Sequence, residues 1–266
     1  MALKVAIHGA SGRMGRSLIQ LIHSASDLEL VAAIDSHDSP LLGRDAGELA
    51  GVGAMGPLTA HVEAIADADV VIEFSLASAL EGLLQYVLRF ERPLVLGTTG
   101  LSPAQWARVD DAARLVPLIA APNYSTGVAV LYHLAERASA LLADFDLEIV
   151  EMHHRHKVDA PSGTALGLLE AVARPRGIDP KEHAVYGREG HPGARKADEI
   201  GVVALRGGDV IGEHTLLLAG GGERLELTHR AGDRSLFARG ALRAARWLAA
   251  PDKRPGRYGM KEVLGL

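Results

Sequence analysis

The sequence predicts an α/β protein with a parallel sheet in its first half and an antiparallel or mixed sheet in its second half. Three observations favour this fold class. In the first half, short apolar segments alternate with helix-like segments, as they do in a parallel sheet. A glycine-rich turn at residues 9–15 joins the first apolar segment to a helix-like one. In the second half, longer strand-like segments are separated by runs of glycine.

The first half contains five segments with the composition of buried parallel strands. Each is short, apolar and rich in leucine or β-branched residues, because a strand covered on both faces has no polar side. Helices are expected between them: Ser102 is a natural N-cap ahead of Pro103, and apolar residues recur at helical spacing over 128–141. The predicted strands are residues 3–8, 28–34, 69–75, 93–99 and 117–123.

The second half indicates a second domain. The glycine-rich breaks at 207–209 and 220–222 favour hairpins, and the polar stretch 175–199 predicts a long surface loop. The last helix has an apolar side with which it can pack back onto the first domain. The predicted elements are a strand at 146–153, a helix at 162–174 capped by Ser162, strands at 200–206, 210–219 and 223–231, and a helix at 235–249.

Composition and charge argue against several classes of protein. The 266 residues carry 28 Lys and Arg against 33 Asp and Glu, and the resulting net charge of −5 argues against a nucleic-acid partner. The absence of cysteine excludes a thiolate nucleophile, a disulfide and a cysteine-ligated metal. No apolar stretch approaches the roughly 18 residues that span a bilayer, and residues 1–7 show no signal-peptide core. We therefore expect a cytoplasmic protein without a membrane partner.

The glycine-rich turn predicts a dinucleotide site. Its glycines allow a tight turn and let main-chain N–H groups approach a pyrophosphate. Their G-x-x-G-x-x-G spacing also fits a strand-to-helix turn without a ligand. Two further features favour the ligand: Asp35 ends the second strand, where a ribose-binding carboxylate belongs, and residues 97–99 end another strand at the same edge.

Residues 151–164 are rich in groups that hold or transfer protons, and three interpretations compete. A metal site is disfavoured, because three histidines within four residues cannot all face one ion on a strand. A solvated basic loop is the second. The third is an anion site with a general acid, in which Lys157 and a histidine bind a carboxylate and deliver a proton. A helix start at residues 162–164 adds a second anion cradle, which suits a substrate with two carboxylates.

The same segment closely resembles the signature of the 4-hydroxy-tetrahydrodipicolinate reductase family, also called dihydrodipicolinate reductase, of bacterial diaminopimelate and lysine biosynthesis. The resemblance covers essentially the whole chain. It implies a Rossmann-like cofactor domain at 1–124 and 234–266, and a mixed α/β substrate and tetramerisation domain at 125–233. Further matching segments are residues 9–15, 97–99, 123–128, 185–191 and 208–215.

The resemblance also implies roles for individual residues. His153 corresponds to the catalytic acid and Lys157 to a second proton donor, in a homotetramer that reduces a cyclic dicarboxylate with NAD(P)H. From the histidine spacing, no metal is expected. The substrate-binding residues are His154, Gly163 and Thr164 from the resemblance, together with Ser162 from the predicted helix start. The implied cofactor contacts are Gly9, Ala10, Ser11, Gly12, Arg13, Met14, Asp35, Gly97, Thr98, Thr99, Ala121, Pro122, Asn123 and Tyr124.

The surroundings of Asp35 predict that NADH is used at least as well as NADPH. A carboxylate accepts hydrogen bonds from ribose hydroxyls and repels a 2′-phosphate. The next residue is Ser36, and the loop after residues 69–75 begins with Leu76, so neither supplies an arginine. Three other residues could partly replace such an arginine beside a 2′-phosphate: His37, Arg13 and Arg44.

Two alternatives stay open at the level of sequence. The first is another two-domain NAD(P)-dependent dehydrogenase, such as an aspartate dehydrogenase; a phosphorylating semialdehyde dehydrogenase needs a nucleophilic cysteine, which is absent. The second is a non-catalytic NAD-sensing protein. It requires an effector surface such as a DNA-reading helix pair, which the sequence does not indicate, and has no use for proton donors at 153–157.

Overall fold

The computed structural model describes all 266 residues. The chain divides into two compact units, one made of Met1–Ser125 and Ser235–Gly265, the other of Thr126–Arg234 with the terminal Leu266. Apart from the terminal Leu266, each boundary between the units lies one residue after the boundary expected from domains 1–124, 125–233 and 234–266. No helix is both long enough and apolar enough to cross a membrane.

Twelve strands and nine α-helices make up the two units. The strands are β1 (Leu3–His8), β2 (Leu28–Ile34), β3 (Leu58–Thr59), β4 (Val70–Glu73), β5 (Leu94–Leu96), β6 (Pro117–Ala120), β7 (Asp146–His153), β8 (Ala184–Val185), β9 (Ile200–Arg206), β10 (Glu213–Ala219), β11 (Arg224–Arg230) and β12 (Gly256–Tyr258). The helices are α1 (Arg13–His23), α2 (Ala46–Ala50), α3 (Leu80–Arg89), α4 (Pro103–Ala113), α5 (Thr126–Leu141), α6 (Gly163–Ala173), α7 (Pro180–His183), α8 (Ser235–Leu248) and α9 (Met260–Leu264).

The first unit is a seven-stranded sheet in the order β12-β6-β5-β4-β1-β2-β3, and all its pairs are parallel. All four residues of β4 are buried, as a strand covered on both faces requires. The strand order reverses between β1 and β4, and in such sheets ligands bind at the carboxyl ends of the strands beside this reversal. The helix predicted to return to this domain, α8, contacts α1, β4, β5 and β6.

The second unit is a five-stranded mixed sheet in the order β11-β10-β7-β9-β8. Strand β7 lies at its centre, antiparallel to β10 and parallel to β9. Residues alternate along β7, so that Leu147, Ile149, Glu151 and His153 are all buried on one face. Leu147 and Ile149 share a core cluster with Leu168 of α6. The predicted fold class, a parallel sheet followed by a mixed sheet, is confirmed.

Three local predictions are wrong. The break at 207–209 is not a hairpin, because β7 lies between β9 and β10; only the break at 220–222 joins paired strands. Residues 175–199 are not a continuous loop, since they contain α7 and β8, which pairs with β9. The strands predicted at 69–75, 93–99 and 117–123 end two or three residues early, because these residues leave the sheet at its carboxyl edge.

Candidate active site

The glycine-rich turn after β1 leaves its main chain open to close approach. Gly9 has φ +85°, and a Cβ there would lie 2.5 Å from the carbonyl oxygen of Phe74. A Cβ at Gly15 would lie 2.3 Å from the carbonyl oxygen of Gly9. Gly12, the N-cap of α1, has no side chain to cap the first-turn N–H groups. Such groups bind phosphate, and the turn therefore fits the pyrophosphate of a dinucleotide.

Asp35 meets this turn at a cavity of about 450 Å³, which Gly9, Ser11, Gly12 and Asp35 all line. The main-chain N–H of Ser11 donates to Oδ2 of Asp35 at 2.9 Å, and the N–H of Ser36 donates to Oδ1 at 2.8 Å. The cavity has the size of a small-molecule or cofactor site. Ala10 is buried, Arg13 is exposed and Met14 is half-buried.

Residues 97–99 follow β5 at the same sheet edge. A Cβ at Gly97 would lie 2.3 Å from the ring of Phe74, so glycine is needed there. Thr98 is buried, and its hydroxyl donates to Oε1 of Glu73 at 2.8 Å, whereas Thr99 is exposed. This segment therefore fixes the edge of the sheet through Thr98 and leaves Thr99 open to a ligand.

Residues 121–124 follow β6. Pro122 is exposed, and Ala121 and Asn123 are half-buried. Tyr124 is buried, and its hydroxyl donates to the carbonyl oxygen of Leu96 at 2.8 Å, so its side chain supports the sheet. Burial raises the pKa of Tyr124 far above its usual range. The side chain of Tyr124 is therefore not available for the implied cofactor contact.

A buried His8–Glu73 pair lies at the carboxyl ends of β1 and β4, and sequence reasoning missed it. Nδ1 of His8 contacts Oε2 of Glu73, and the N–H of Ser75 donates to Oε1 at 2.8 Å. His8 and Ser75 also line the cavity beside Asp35. The available signal was a polar residue closing two otherwise apolar strands, since both strands end at the edge where ligands bind.

The second cluster of site residues forms around the buried carboxylate of Glu151 on β7. Oε2 of Glu151 contacts Nδ1 of His153, and Oε1 accepts the N–H of Ser162 at 3.1 Å. Nη1 and Nη2 of Arg206 each lie 3.2 Å from Oε1. In the antiparallel register, His214 of β10 is the partner of Glu151. The predicted residues His153 and Ser162 are thus brought together by three residues to which the sequence assigned no role.

Ser162 caps α6, as the sequence predicts. Its hydroxyl accepts the N–H of Ala165 at 3.1 Å and lies 3.0 Å from Nε2 of His214. Gly163 is exposed and Thr164 is half-buried at the first turn. The main-chain donors of this first turn, at the positive end of the helix dipole, suit a carboxylate.

The two other residues with an implied role at the anion site, Lys157 and His154, each lie close to a charged side chain. Nζ of Lys157 is 2.8 and 2.9 Å from the two carboxylate oxygens of Asp159, a partner that the sequence did not suggest. Nε2 of His154 lies 3.4 Å from Nη2 of Arg234, and Nδ1 of His154 is buried without a hydrogen-bond partner. The charge of Lys157 also acts on His153 and His214, which places Lys157 close to the buried cluster.

Different surroundings act on the pKa values of His153 and His214. Desolvation lowers the pKa of His153, Glu151 opposes this shift, and Lys157 and Arg206 add to it. Desolvation and the charge of His153 lower the pKa of His214 to about 4, so His214 is neutral near pH 7. The two rings lie 5.1 Å apart between centroids. The carboxylate of Glu151 favours the imidazolium of His153, whereas His214 has no carboxylate within hydrogen-bonding distance of its ring.

Two family models match the chain almost from end to end. The model described as "Dihydrodipicolinate reductase, N-terminus" matches residues 3–124, and the one described as "Dihydrodipicolinate reductase, C-terminus" matches residues 127–264. The chain belongs to the dihydrodipicolinate reductase family.

Relatives named 4-hydroxy-tetrahydrodipicolinate reductase are similar over the full length. The protein of Alkalilimnicola ehrlichii is 53% identical, with 100% of both chains covered. That of Magnetococcus marinus is 47% identical, covering 100% of this chain and 99% of its own. The solved dihydrodipicolinate reductase from Paenisporosarcina sp. TG-14 has a TM-score of 0.76 at 24% identity, over 98% of this chain and 99% of that one, and shows the same fold.

Membership of the dihydrodipicolinate reductase family makes the chain an NAD(P)H-dependent oxidoreductase of lysine and diaminopimelate biosynthesis. The family, the Rossmann-like fold class and the enzyme class predicted from the sequence are confirmed. Membership also decides against the two alternatives, an aspartate dehydrogenase and a non-catalytic NAD sensor.

One cluster in this member of the dihydrodipicolinate reductase family has the composition of a metal site. The ligand atoms of Glu151, His153 and His214 lie within 4.8 Å of one another. Both oxygens of Glu151 already have partners, however, and Arg206 and Lys157 bring positive charge close to the cluster. A cation is disfavoured beside these charges. The absence of a catalytic metal stays a prediction.

Proposed function

We propose that this chain reduces 4-hydroxy-tetrahydrodipicolinate, via dihydrodipicolinate, to tetrahydrodipicolinate. The observation that carries the residue roles is the placement of His153 on a buried carboxylate, beside the start of α6 and near Lys157. NAD(P)H supplies the hydride, which adds to a ring carbon conjugated to the imine. The resulting enamine-like electron density must then be protonated, and this is the task that we assign to His153.

Substrate binding uses the positive groups around the start of α6. The first-turn N–H groups at Gly163 and Thr164, with the hydroxyl of Thr164, bind one carboxylate. Lys157 and His154 bind the other, and the substrate carboxylate competes with Asp159 for Lys157. The relative from Paenisporosarcina sp. TG-14 is described as dipicolinate-bound, which supports a cyclic dicarboxylate ligand. Two fixed carboxylates orient the ring toward the hydride donor.

Proton delivery depends on the charge state of His153 in the complex. Burial lowers the pKa of His153 in the free protein. A dianionic substrate nearby favours the imidazolium, because opposite charges stabilise one another. Substrate binding therefore favours the protonated form of His153, which is the form that donates the proton. Lys157, the second donor implied by the resemblance, lies next to the same substrate.

The cofactor preference follows from Asp35. We propose that NADH is used at least as well as NADPH, because the Asp35 carboxylate lines the cavity beside the glycine-rich turn. The implied cofactor contacts at the turn, at 97–99 and at 121–124 belong to the same proposal.

A homotetramer assembled through the second unit is also proposed. The sheet face opposite α6 carries Val150, Val203 and Leu217 by strand alternation. Leu205 on this face is 45% exposed. The same face also carries charged residues such as Glu148 and Glu213. An apolar patch within a polar surround is typical of a subunit interface. The cytoplasmic location stays a prediction.

The test of the reaction is NADH oxidation, followed by absorbance, with and without the product of dihydrodipicolinate synthase. We expect oxidation only with that product. Oxidation with oxaloacetate and ammonia instead would identify an aspartate dehydrogenase and overturn the proposal.

A further inference from the structure

We propose that Glu151 is a positioning residue for the reaction, one that fixes the imidazole of His153 against the first turn of α6 and against Arg206. This inference rests on the proposed function, in which His153 is the acid. Glu151 touches neither substrate nor cofactor in this scheme and acts through His153.

The burial of Glu151 is the first observation. It stands on the face of β7 that carries Leu147 and Ile149 into the core, and its side chain is fully buried. A carboxylate in such a place costs stability unless every charge and lone pair has a partner. Packing alone therefore does not explain why a glutamate occupies this position on the core face.

The division of its two oxygens is the second observation. Oε2 contacts Nδ1 of His153, whereas Oε1 accepts hydrogen bonds from the N–H of Ser162 and from Arg206. One carboxylate thus links the proposed acid, the helix that binds substrate and a cation from β9. This resembles the way in which a carboxylate orients a catalytic imidazole in other enzymes.

The contact at Nδ1 determines which nitrogen transfers the proton. Because Glu151 accepts from Nδ1, the neutral ring carries its hydrogen there, and Nε2 gains and loses the exchangeable proton. A Cβ at position 212 would lie 3.0 Å from Nε2 of His153, and that residue is Gly212. Glycine therefore leaves the space beside the active nitrogen unfilled.

The charges around His153 give the inference a pH signature. Desolvation lowers the pKa of His153, Glu151 opposes this shift, and Lys157 and Arg206 add to it. His214 on β10 packs against the ring. The imidazolium is the active form, so activity falls as pH rises through this pKa. Loss of the Glu151 charge lowers the pKa further, and the fall then moves to lower pH.

The experiment compares Glu151→Gln, Glu151→Asp and the control Glu136→Gln, which removes a half-buried carboxylate on α5 with no contact to the cluster. We expect Glu151→Gln to lower kcat about 10–100-fold, to move the alkaline limb of the kcat profile to lower pH and to leave the Kd for NADH unchanged. Glu151→Asp, which keeps the charge, should recover part of kcat. Glu136→Gln should resemble the wild type.

A wild-type kcat and pH profile in Glu151→Gln would overturn the inference, and so would a defect confined to Tm. Should Glu151→Gln fail to fold, ¹⁵N NMR of the wild-type imidazoles decides, with His153 assigned by its loss in His153→Gln. Neutral His153 must carry its proton on Nδ1; an Nε2–H tautomer contradicts the inference. If His153→Gln itself keeps wild-type kcat, the proposed acid is wrong. If only Glu151→Gln keeps it, the acid stands and the positioning role is wrong.

Discussion

The main-chain N–H of Ser11 donates a 2.9 Å hydrogen bond to Oδ2 of Asp35, and so joins the glycine-rich turn to the end of β2. The N–H of Ser36 donates to Oδ1 from the other side. Each carboxylate oxygen keeps a further lone pair with which it can accept from a ribose hydroxyl. The carboxylate that we propose selects between the two nicotinamide cofactors is therefore held in place by the loop that we propose binds their pyrophosphate.

The first prediction concerns this selection. Wild-type kcat/KM should be at least as high with NADH as with NADPH, and Ser36→Arg should shift the ratio toward NADPH by placing a cation near the 2′-phosphate. The control Ser36→Ala adds no charge and should leave the ratio unchanged. A wild-type preference for NADPH above about tenfold, roughly 1.4 kcal/mol, would show that Asp35 does not set the preference.

The second prediction concerns the turn itself. Gly15→Ala places a Cβ 2.3 Å from the carbonyl oxygen of Gly9, so the turn must shift. We expect a loss of about 1–3 kcal/mol in the free energy of unfolding and weaker NADH binding in titration. The control Gly221→Ala adds a Cβ into open space in the β10–β11 turn. Unchanged NADH affinity in Gly15→Ala would remove the turn from the cofactor site.

The third prediction tests the start of α6. Thr164→Val removes a hydroxyl donor and keeps the shape, so the KM for substrate should rise about three- to tenfold. The Kd for NADH should stay the same, because Thr164 belongs to the other unit. A drop in NADH affinity with an unchanged substrate KM would contradict the assignment.

The fourth prediction concerns assembly. Sedimentation should give a species of about four times the chain mass of 28.1 kDa. Leu217→Asp, on the sheet face opposite α6, should dissociate it. Leu141→Asp, on α5, introduces the same charge at a residue that is 77% exposed and should not. A monomer at micromolar concentration would rule out the tetramer.

Much of the fold could be predicted because the apolar segments read from the sequence coincide with the strands that pair in the two sheets. The bounds of β1, β2, β7 and β9 match the predicted segments, and Ser162 caps α6. Strands β8 and β12, of two and three residues, are too short to show any periodicity. The insertion of β7 between β9 and β10 is a long-range pairing, and no local pattern indicates it.

The candidate site likewise contains residues that the sequence predicts and residues that it does not. Residues 151–164 are contiguous, so their chemistry could be recognised together in the sequence. Arg206 and His214 reach Glu151 and Ser162 from more than 50 residues away. His8 and Glu73 meet across 65 residues. Such partners become neighbours only when each sheet forms, and for this reason a local sequence pattern does not indicate them.

The turnover of His153→Gln tests most directly whether His153 is the acid. Glutamine keeps a polar side chain but cannot act as an acid near neutral pH. We expect kcat to fall about 10²–10⁴-fold, while the Kd for NADH, measured by fluorescence titration, stays at the wild-type value. A near-wild-type kcat in this variant would contradict the assignment of His153, because the proton would then come from another group.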